Sequence, residues 1–187
     1  KEGVEAQSET VWRQAERYNV PLMCFINKMD KMGADFEFSF GTIRKRLGAN
    51  PLAVQLPIGA GDSLEGIIDL LGMKAYYFEA DSQGAVVTEK DIPADMADKA
   101  AEWRHQLVEN AVSLDESLME KYLEDENSIT VPELRKAIRK GTIAREVNPV
   151  FCGSALKNIG VQRLLDGVID YLPNPTEVPE VEGVNPK

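Results

Sequence analysis

The chain has 187 residues, 43% of them hydrophobic and 28% charged, a globular composition that argues against disorder. Thirty-one acidic against 21 basic residues leave a formal charge of −10, which disfavours a general binder of the nucleic-acid backbone, whose affinity rests on clustered Lys and Arg. Two cysteines and one histidine exclude a disulfide scaffold and a His- or Cys-rich metal centre, so no metal site is expected. No apolar run approaches the roughly 20 residues of a membrane span, and no signal peptide opens the chain. These features predict a soluble, cytoplasmic protein with no membrane partner.

The chain opens Lys1-Glu2-Gly3-Val4, with no initiator Met, and is read as a segment of a longer protein. Val4, Val11, Trp12, Ala15 and Tyr18 recur at near-helical spacing and predict a helix over 5–18. Beyond Pro21, the unbroken apolar run Leu22 to Ile26 suits a fully buried strand of a parallel sheet, and 27–33 is a polar turn. Phe36, Phe40, Ile43 and Leu47 predict a second helix, with Arg44, Lys45 and Arg46 in its last turn and Gly48 as its stop.

The middle of the chain reads differently. Leu52, Val54 and Leu56 alternate with Ala53 and Gln55 as in one half-buried strand, and segments 75–78 and 85–88 flank a turn at 81–84 as in a hairpin. A long helix is expected from about Pro93 to Tyr122, and a shorter one from Val131 to Arg139. Then strand, polar turn and helix return: Pro149 to Cys152, Gly153 to Asn158, and the stripe Val161, Leu164, Leu165, Val168, Ile169 and Leu172, stopped by Pro173. The fold class expected is α/β, with an α+β subdomain inserted into an α/β host. The boundaries are 1–48 and 148–175 for the host, 49–147 for the insert, and 176–187 for an extended, Pro-spaced linker.

Ligands of open α/β sheets sit at the carboxyl ends of the strands, where both polar turns fall. In Asn27-Lys28-Met29-Asp30, the Asp30 carboxylate offers two acceptors to the paired N1–H and N2 donors of guanine, which adenine lacks. The Lys28 stem can lie on the base plane, Asn27 can tie the loop to its neighbours, and Met29 is a spacer. The competing reading is a solvated turn with a helix cap at Asp30 or Asp35. In Gly153-Ser154-Ala155-Leu156-Lys157, the small residues admit a base edge, the Ala155 N–H can donate to guanine O6, Ser154 can orient Asp30, and Lys157 can cover the second base face. Its competing reading is an ordinary turn capping the next helix.

The two motifs together resemble the base-recognition motifs of translational GTPases. The phrases Gln7-Ser8-Glu9-Thr10-Val11-Trp12-Arg13-Gln14, Arg46-Leu47-Gly48-Ala49-Asn50-Pro51 and Asp91-Ile92-Pro93-Ala94-Asp95-Met96 resemble bacterial elongation factor G over essentially the whole chain. The resemblance implies the C-terminal part of a P-loop-type GTPase domain with helices on both faces of its parallel sheet, and a subdomain inserted between the two guanine motifs. It implies GTP or GDP as ligand through Asn27, Lys28, Asp30, Ser154, Ala155, Leu156 and Lys157, and the ribosome as partner of a translocase. rRNA contact would belong to the intact factor only. The family's inserted subdomain contacts the C-terminal domain of the ribosomal stalk protein, which makes Glu102, Glu109 and Glu116, spaced at seven on the expected long helix, the contact candidates.

No Gly-x-x-x-x-Gly-Lys-[Ser/Thr] occurs, so no P-loop lysine and no Mg²⁺-binding hydroxyl are present, and no catalytic residue is assigned. Mg²⁺ would belong to the intact protein, and the chain alone is expected not to hydrolyse GTP. Asp69-Leu70-Leu71-Gly72 fits D-x-x-G but is read as core or loop. Cys24 and Cys152 read as buried apolar thiols, and His105 as a residue without a catalytic or metal partner. The alternatives are an interaction module that docks the stalk without binding nucleotide, and a recycling or ribosome-protection paralogue.

Overall fold

In chain order the elements are α1 (Ala6–Arg17), β1 (Cys24–Ile26), α2 (Phe36–Leu47), β2 (Pro51–Ala53), β3 (Gln55–Ile58), β4 (Gly66–Asp69), β5 (Lys74–Phe78), β6 (Val87–Lys90), α3 (Ala97–Val112), α4 (Glu116–Glu124), α5 (Val131–Ile143), β7 (Asn148–Cys152) and α6 (Val161–Tyr171). They belong to a computed structural model that describes residues 2–79, 84 and 86–177. The strands form two sheets: a parallel one in the order β1-β7-β2, and an antiparallel one in the order β3-β4-β5-β6. This is the expected α/β frame with an α+β portion between its halves.

In the parallel sheet Cys24, Phe25 and Ile26 pair with Val150, Phe151 and Cys152, and Pro51 to Ala53 pair with Asn148 to Val150. Phe151 packs on α6, its ring 6.2 Å from that of Tyr171. By the two-residue pleat, Val150 and Cys152 point to the opposite face, and both are wholly buried. Helix α2 starts at Asp35, whose carboxylate accepts from Phe38 N at 2.9 Å, and stops at Gly48 in the left-handed conformation. Phe36 and Phe40 of α2 meet Trp103 of α3 edge-on at 5.6 and 5.2 Å. Helix α1 buries none of its residues.

Three expectations change. Pro51–Ala53 lies in the parallel sheet rather than in the insert, and the run 52–56 is two strands rather than one. The chain crosses between sheets at Val54, whose N–H donates to Val150 O at 3.1 Å and whose carbonyl accepts from Leu70 N at 3.0 Å. Ala53 and Gln55 are as buried as Leu52 and Leu56, so no face is wet. Strand β4 has no counterpart in the sequence reading: Gly66-Ile67-Ile68-Asp69 lies between β3 and β5 and shows no alternation.

The long helix expected over 93–122 is interrupted. A 3₁₀ turn at Ala94–Met96 precedes α3, α3 ends at Val112, and α4 restarts at the N-cap Asp115, which accepts from Ser117 N at 3.2 Å. Asp115 draws the backbone out of the helix by offering its own acceptor, and Leu114 turns inward against Gly141. Glu116 is therefore not in phase with Glu102 and Glu109 on one helix. Helix α5 runs to Ile143, past Gly141, and buries that glycine.

The hairpin of β5 and β6 is present in antiparallel register, while its turn residues 81–83 and Ala85 lie outside the described residues. The linker from 178 onward lies outside them as well. Its first described residues are turned rather than extended: Thr176 N donates to Asn174 Oδ1 at 2.9 Å, and Arg139 of α5 reaches Glu177 at 2.6 Å and the Leu172 carbonyl at 2.8 Å.

Candidate functional site

Because β1 and β7 are parallel neighbours with Ile26 opposite Cys152, the loops that follow them leave the sheet at the same edge. Gly153 N donates to Ile26 O at 3.1 Å, and Met29 N donates to Gly153 O at 3.0 Å. A side chain at Gly153 would put its Cβ 2.1 Å from Ile159 O, so only glycine fits where the second loop folds back on itself. Asn27 Oδ1 accepts from Lys28 N at 2.7 Å and from Ala155 N at 3.0 Å, which fastens one loop to the other. Lys28 is left-handed at φ 62°, a conformation that an L residue keeps only where its surroundings hold it, and the Asn27 contact does so.

The second loop is braced from within. Ser154, fully buried, exchanges both backbone hydrogen bonds with Ile159 at 3.0 Å, and its Oγ accepts from Lys157 N at 3.2 Å. The Ser154 hydroxyl proton is thus left for Asp30. That side-chain hydrogen bond is the main cause of the lowered pKa of Asp30, and the charges of Lys31 and Lys157 act in the same direction against the cost of burial. Asp30 is only 7% exposed. Its Oδ2 lies 3.7 Å from Lys31 Nζ, while Oδ1 is buried without a hydrogen-bond partner. A buried ionised acceptor left unpaired is costly, and a ligand presenting donors would relieve it.

The residues singled out from sequence therefore converge. Asn27, Lys28, Asp30, Ser154, Ala155, Leu156 and Lys157 occupy two loops joined by direct hydrogen bonds. Lys28, Ala155, Leu156 and Lys157 stand at the surface around the buried Asp30, with Leu156 as much as 76% exposed. Of the capping alternatives, the helix cap at Asp35 is present, on α2, while Asp30 caps no helix and α6 begins at Gly160 without a side-chain cap.

Met29 is no mere spacer. It is 1% exposed, and its carbonyl accepts from Gly61 N at 2.8 Å. Gly61 lies in a 3₁₀ turn between β3 and β4 that sequence reasoning passed over. The apolar side chain at the third position of the motif was the available signal for the burial of Met29, and nothing in the sequence signalled Gly61.

The other candidates stand apart. Asp69 ends β4, and its carboxylate accepts from Leu71 N at 3.1 Å and Gly72 N at 3.2 Å, a turn cap in keeping with the core-or-loop reading. Cys152 is fully buried, and burial pushes the Cys24 thiol up to about 11. His105 lies 3.5 Å from Glu109 one helical turn away at the surface, a contact of the helix face. Glu102, Glu109 and Glu116 are all exposed. Among the described residues no group of three or more His, Cys, Asp or Glu is placed to hold a metal ion, and no helix is long and apolar enough to cross a membrane.

Residues 1–174 match the family model described as the elongation factor Tu GTP binding domain. The chain belongs to that family. Within it, the chain is 52% identical over 185 residues to elongation factor G 1 of Bdellovibrio bacteriovorus, an alignment covering 99% of this chain and 26% of that protein. Its fold matches the crystal structure of ttk003000868 from Thermus thermophilus with a TM-score of 0.82 and 34% identity, over 94% of this chain and 26% of that one. The resemblance to elongation factor G carried by the phrases near Gln7, Arg46 and Asp91 is thereby borne out. This member of the elongation factor Tu GTP-binding-domain family spans about a quarter of the relatives it matches.

Proposed function

We propose that the chain carries the base-reading half of a guanine-nucleotide site. The observation that carries the reading is Asp30 Oδ1, an acceptor without a partner on a buried, ionised carboxylate at the carboxyl edge of a parallel sheet. Guanine presents N1–H and N2–H side by side, and one carboxylate accepts both. Adenine has an acceptor at N1 and no amine at C2, so it would leave the carboxylate dry and unpaired. Hydrogen bonds of this kind discriminate by about 10⁴-fold at a site built for them.

The remaining residues fit the same ligand. The Ala155 N–H, held by Asn27 Oδ1 at 3.0 Å, is exposed and can be shared in a three-centre bond with guanine O6. The apolar stem of Lys28 and the exposed Leu156 offer surfaces for the two faces of the ring. All these groups address the base. The sequence holds no Gly-x-x-x-x-Gly-Lys-[Ser/Thr] for phosphates or Mg²⁺, so we assign this chain selection between bases and not hydrolysis. In a longer factor of the elongation factor G type, such a half-site would choose GTP and GDP for a ribosomal translocase.

The two-part organisation fits this assignment, with its boundary moved from residue 49 to Val54, where the chain leaves the parallel sheet. The stalk-protein contact is proposed on Glu102 and Glu109 alone, which share α3; Glu116 belongs to α4. An exposed acidic face on a chain of net charge −10 would steer a basic partner.

Calorimetric titration tests the base reading. GDP should bind measurably, with Asp30→Ala weakening it and ADP giving no heat. Equal affinity for GDP and ADP would refute the assignment, and silence with GDP beside binding of the stalk C-terminal domain would favour the interaction module.

A further inference from the structure

We propose that Gly61 is a positioning residue for Asp30, through which the segment between β3 and β4 sets the guanine selectivity of the site; this rests on the base reading above. The Met29 carbonyl that accepts from Gly61 N at 2.8 Å is the oxygen of the peptide joining Met29 to Asp30. A peptide unit is planar, so fixing that oxygen fixes the plane from which the Asp30 backbone departs. The other peptide of Met29 is fixed as well, since Met29 N donates to Gly153 O at 3.0 Å. The residue preceding Asp30 is thus clamped from two sides, by the second base loop and by a turn of the antiparallel sheet.

That turn is itself rigid. Gly61 is buried and left-handed at φ 62°. Ser63 Oγ donates to Ala60 O at 2.9 Å, and Ser63 N donates to the same carbonyl at 3.3 Å. Glu65 N closes the hairpin base on Ile58 O at 3.0 Å. A Cβ on Gly61 would find its nearest neighbours at Lys31 O and the Met32 Cα, 3.7 and 3.8 Å away, so the turn also flanks the residues after Asp30. Among the described residues, no other backbone group of the antiparallel sheet reaches the Met29–Asp30 peptide with a hydrogen bond. A carboxylate that reads two donors at once needs its plane held to within about 10–20°, and this contact holds the backbone beneath it.

Two measurements on the 187-residue chain test the proposal. In the unaltered chain, saturating GDP should slow hydrogen exchange at the Gly61 amide by about 10-fold, although none of residues 60–63 is assigned to the base. Unchanged exchange at Gly61 with bound GDP overturns the proposal. In the second, an amide-to-ester replacement at Gly61 removes the donor and keeps the left-handed backbone. The preference for GDP over ADP should narrow by about 10-fold, and Gly61→Ala, which keeps the N–H but strains the left-handed backbone at φ 62°, should retain it while losing some stability. An ester variant with full base preference also overturns the proposal, and loss of its fold leaves the exchange measurement to decide. If the unaltered chain shows no GDP preference and no shift at Asp30 up to millimolar ligand, the base reading falls and the role of Gly61 with it. A GDP preference indifferent to the ester sinks the role of Gly61 alone.

Discussion

Asn27 and Ala155, 128 positions apart in sequence, are joined by a single hydrogen bond of 3.0 Å from a backbone amide to a side-chain oxygen. The same Asn27 oxygen holds the strained Lys28 amide at 2.7 Å. One small side chain therefore sets the spacing of both loops and the shape of the first.

Asn27→Ala should loosen both loops together. Two amides lose their acceptor at the surface, where water replaces it in part, so stability should fall by only about 1 kcal/mol in urea denaturation. GDP binding should fall much further than that loss of stability implies. Equal losses in the two measurements would make Asn27 a purely structural tie.

Asp30→Asn should change the base preferred. The amide presents one donor and one acceptor where the carboxylate presents two acceptors, and xanthine, with N1–H beside a C2 carbonyl, complements that pair. Competition between XDP and GDP should shift towards XDP by about 10²-fold. A variant that loses both ligands alike would show that Asp30 only holds the loop.

Gly167→Ala tests the seat of α6. Alanine ordinarily favours a helix interior over glycine by about 1 kcal/mol, but here a Cβ would lie 2.2 Å from the Phe151 ring. Overpacking should win, for a net loss of about 1–3 kcal/mol by thermal or urea unfolding. A stabilised variant would mean that the helix and strand separate freely.

Acid should weaken the helical part through two half-buried carboxylates. Hydrogen bonds from the Ser117 and Lys140 side chains lower Asp115 from 3.8 to about 2, and Lys121 and Thr130 lower Glu133 from 4.5 to about 2. Folded values below unfolded ones mean stability present above about pH 4.5 and lost as the pH falls towards 2. Lys140→Ala and Lys121→Ala should each flatten that decline in a pH series of denaturant midpoints. An unaltered slope would show that these pairs contribute nothing.

Much of the site was legible because its chemistry is local in sequence. The apolar runs before Asn27 and Gly153 marked the strands, and their polar ends marked the loops. The helix from Phe36 to Leu47 was readable down to its Gly48 stop because cap, apolar stripe and terminal charges all agreed. What escaped depends on partners distant in sequence. Gln55 looks like the wet position of an alternating strand, yet its side chain is buried beside the Cys152 amide at 3.4 Å. Ile67 and Ile68 are dry on both faces, so β4 has no period to read. Asp115 sits inside a good helical stripe, and only Ser117 and Lys140 reveal that it starts a new helix. The role of Gly61 lies in a backbone amide, which every residue but proline has, and no composition could signal it.

The measurement closest to the central claim follows the Asp30 carboxyl carbon by ¹³C NMR while guanosine and adenosine diphosphates are added in turn. Two donors arriving at Oδ1 and Oδ2 should shift that resonance with GDP and leave it in place with ADP, and its apparent pKa should fall further in the GDP complex. A carboxyl that responds equally to both nucleotides, or to neither while GDP binds elsewhere, would contradict the account.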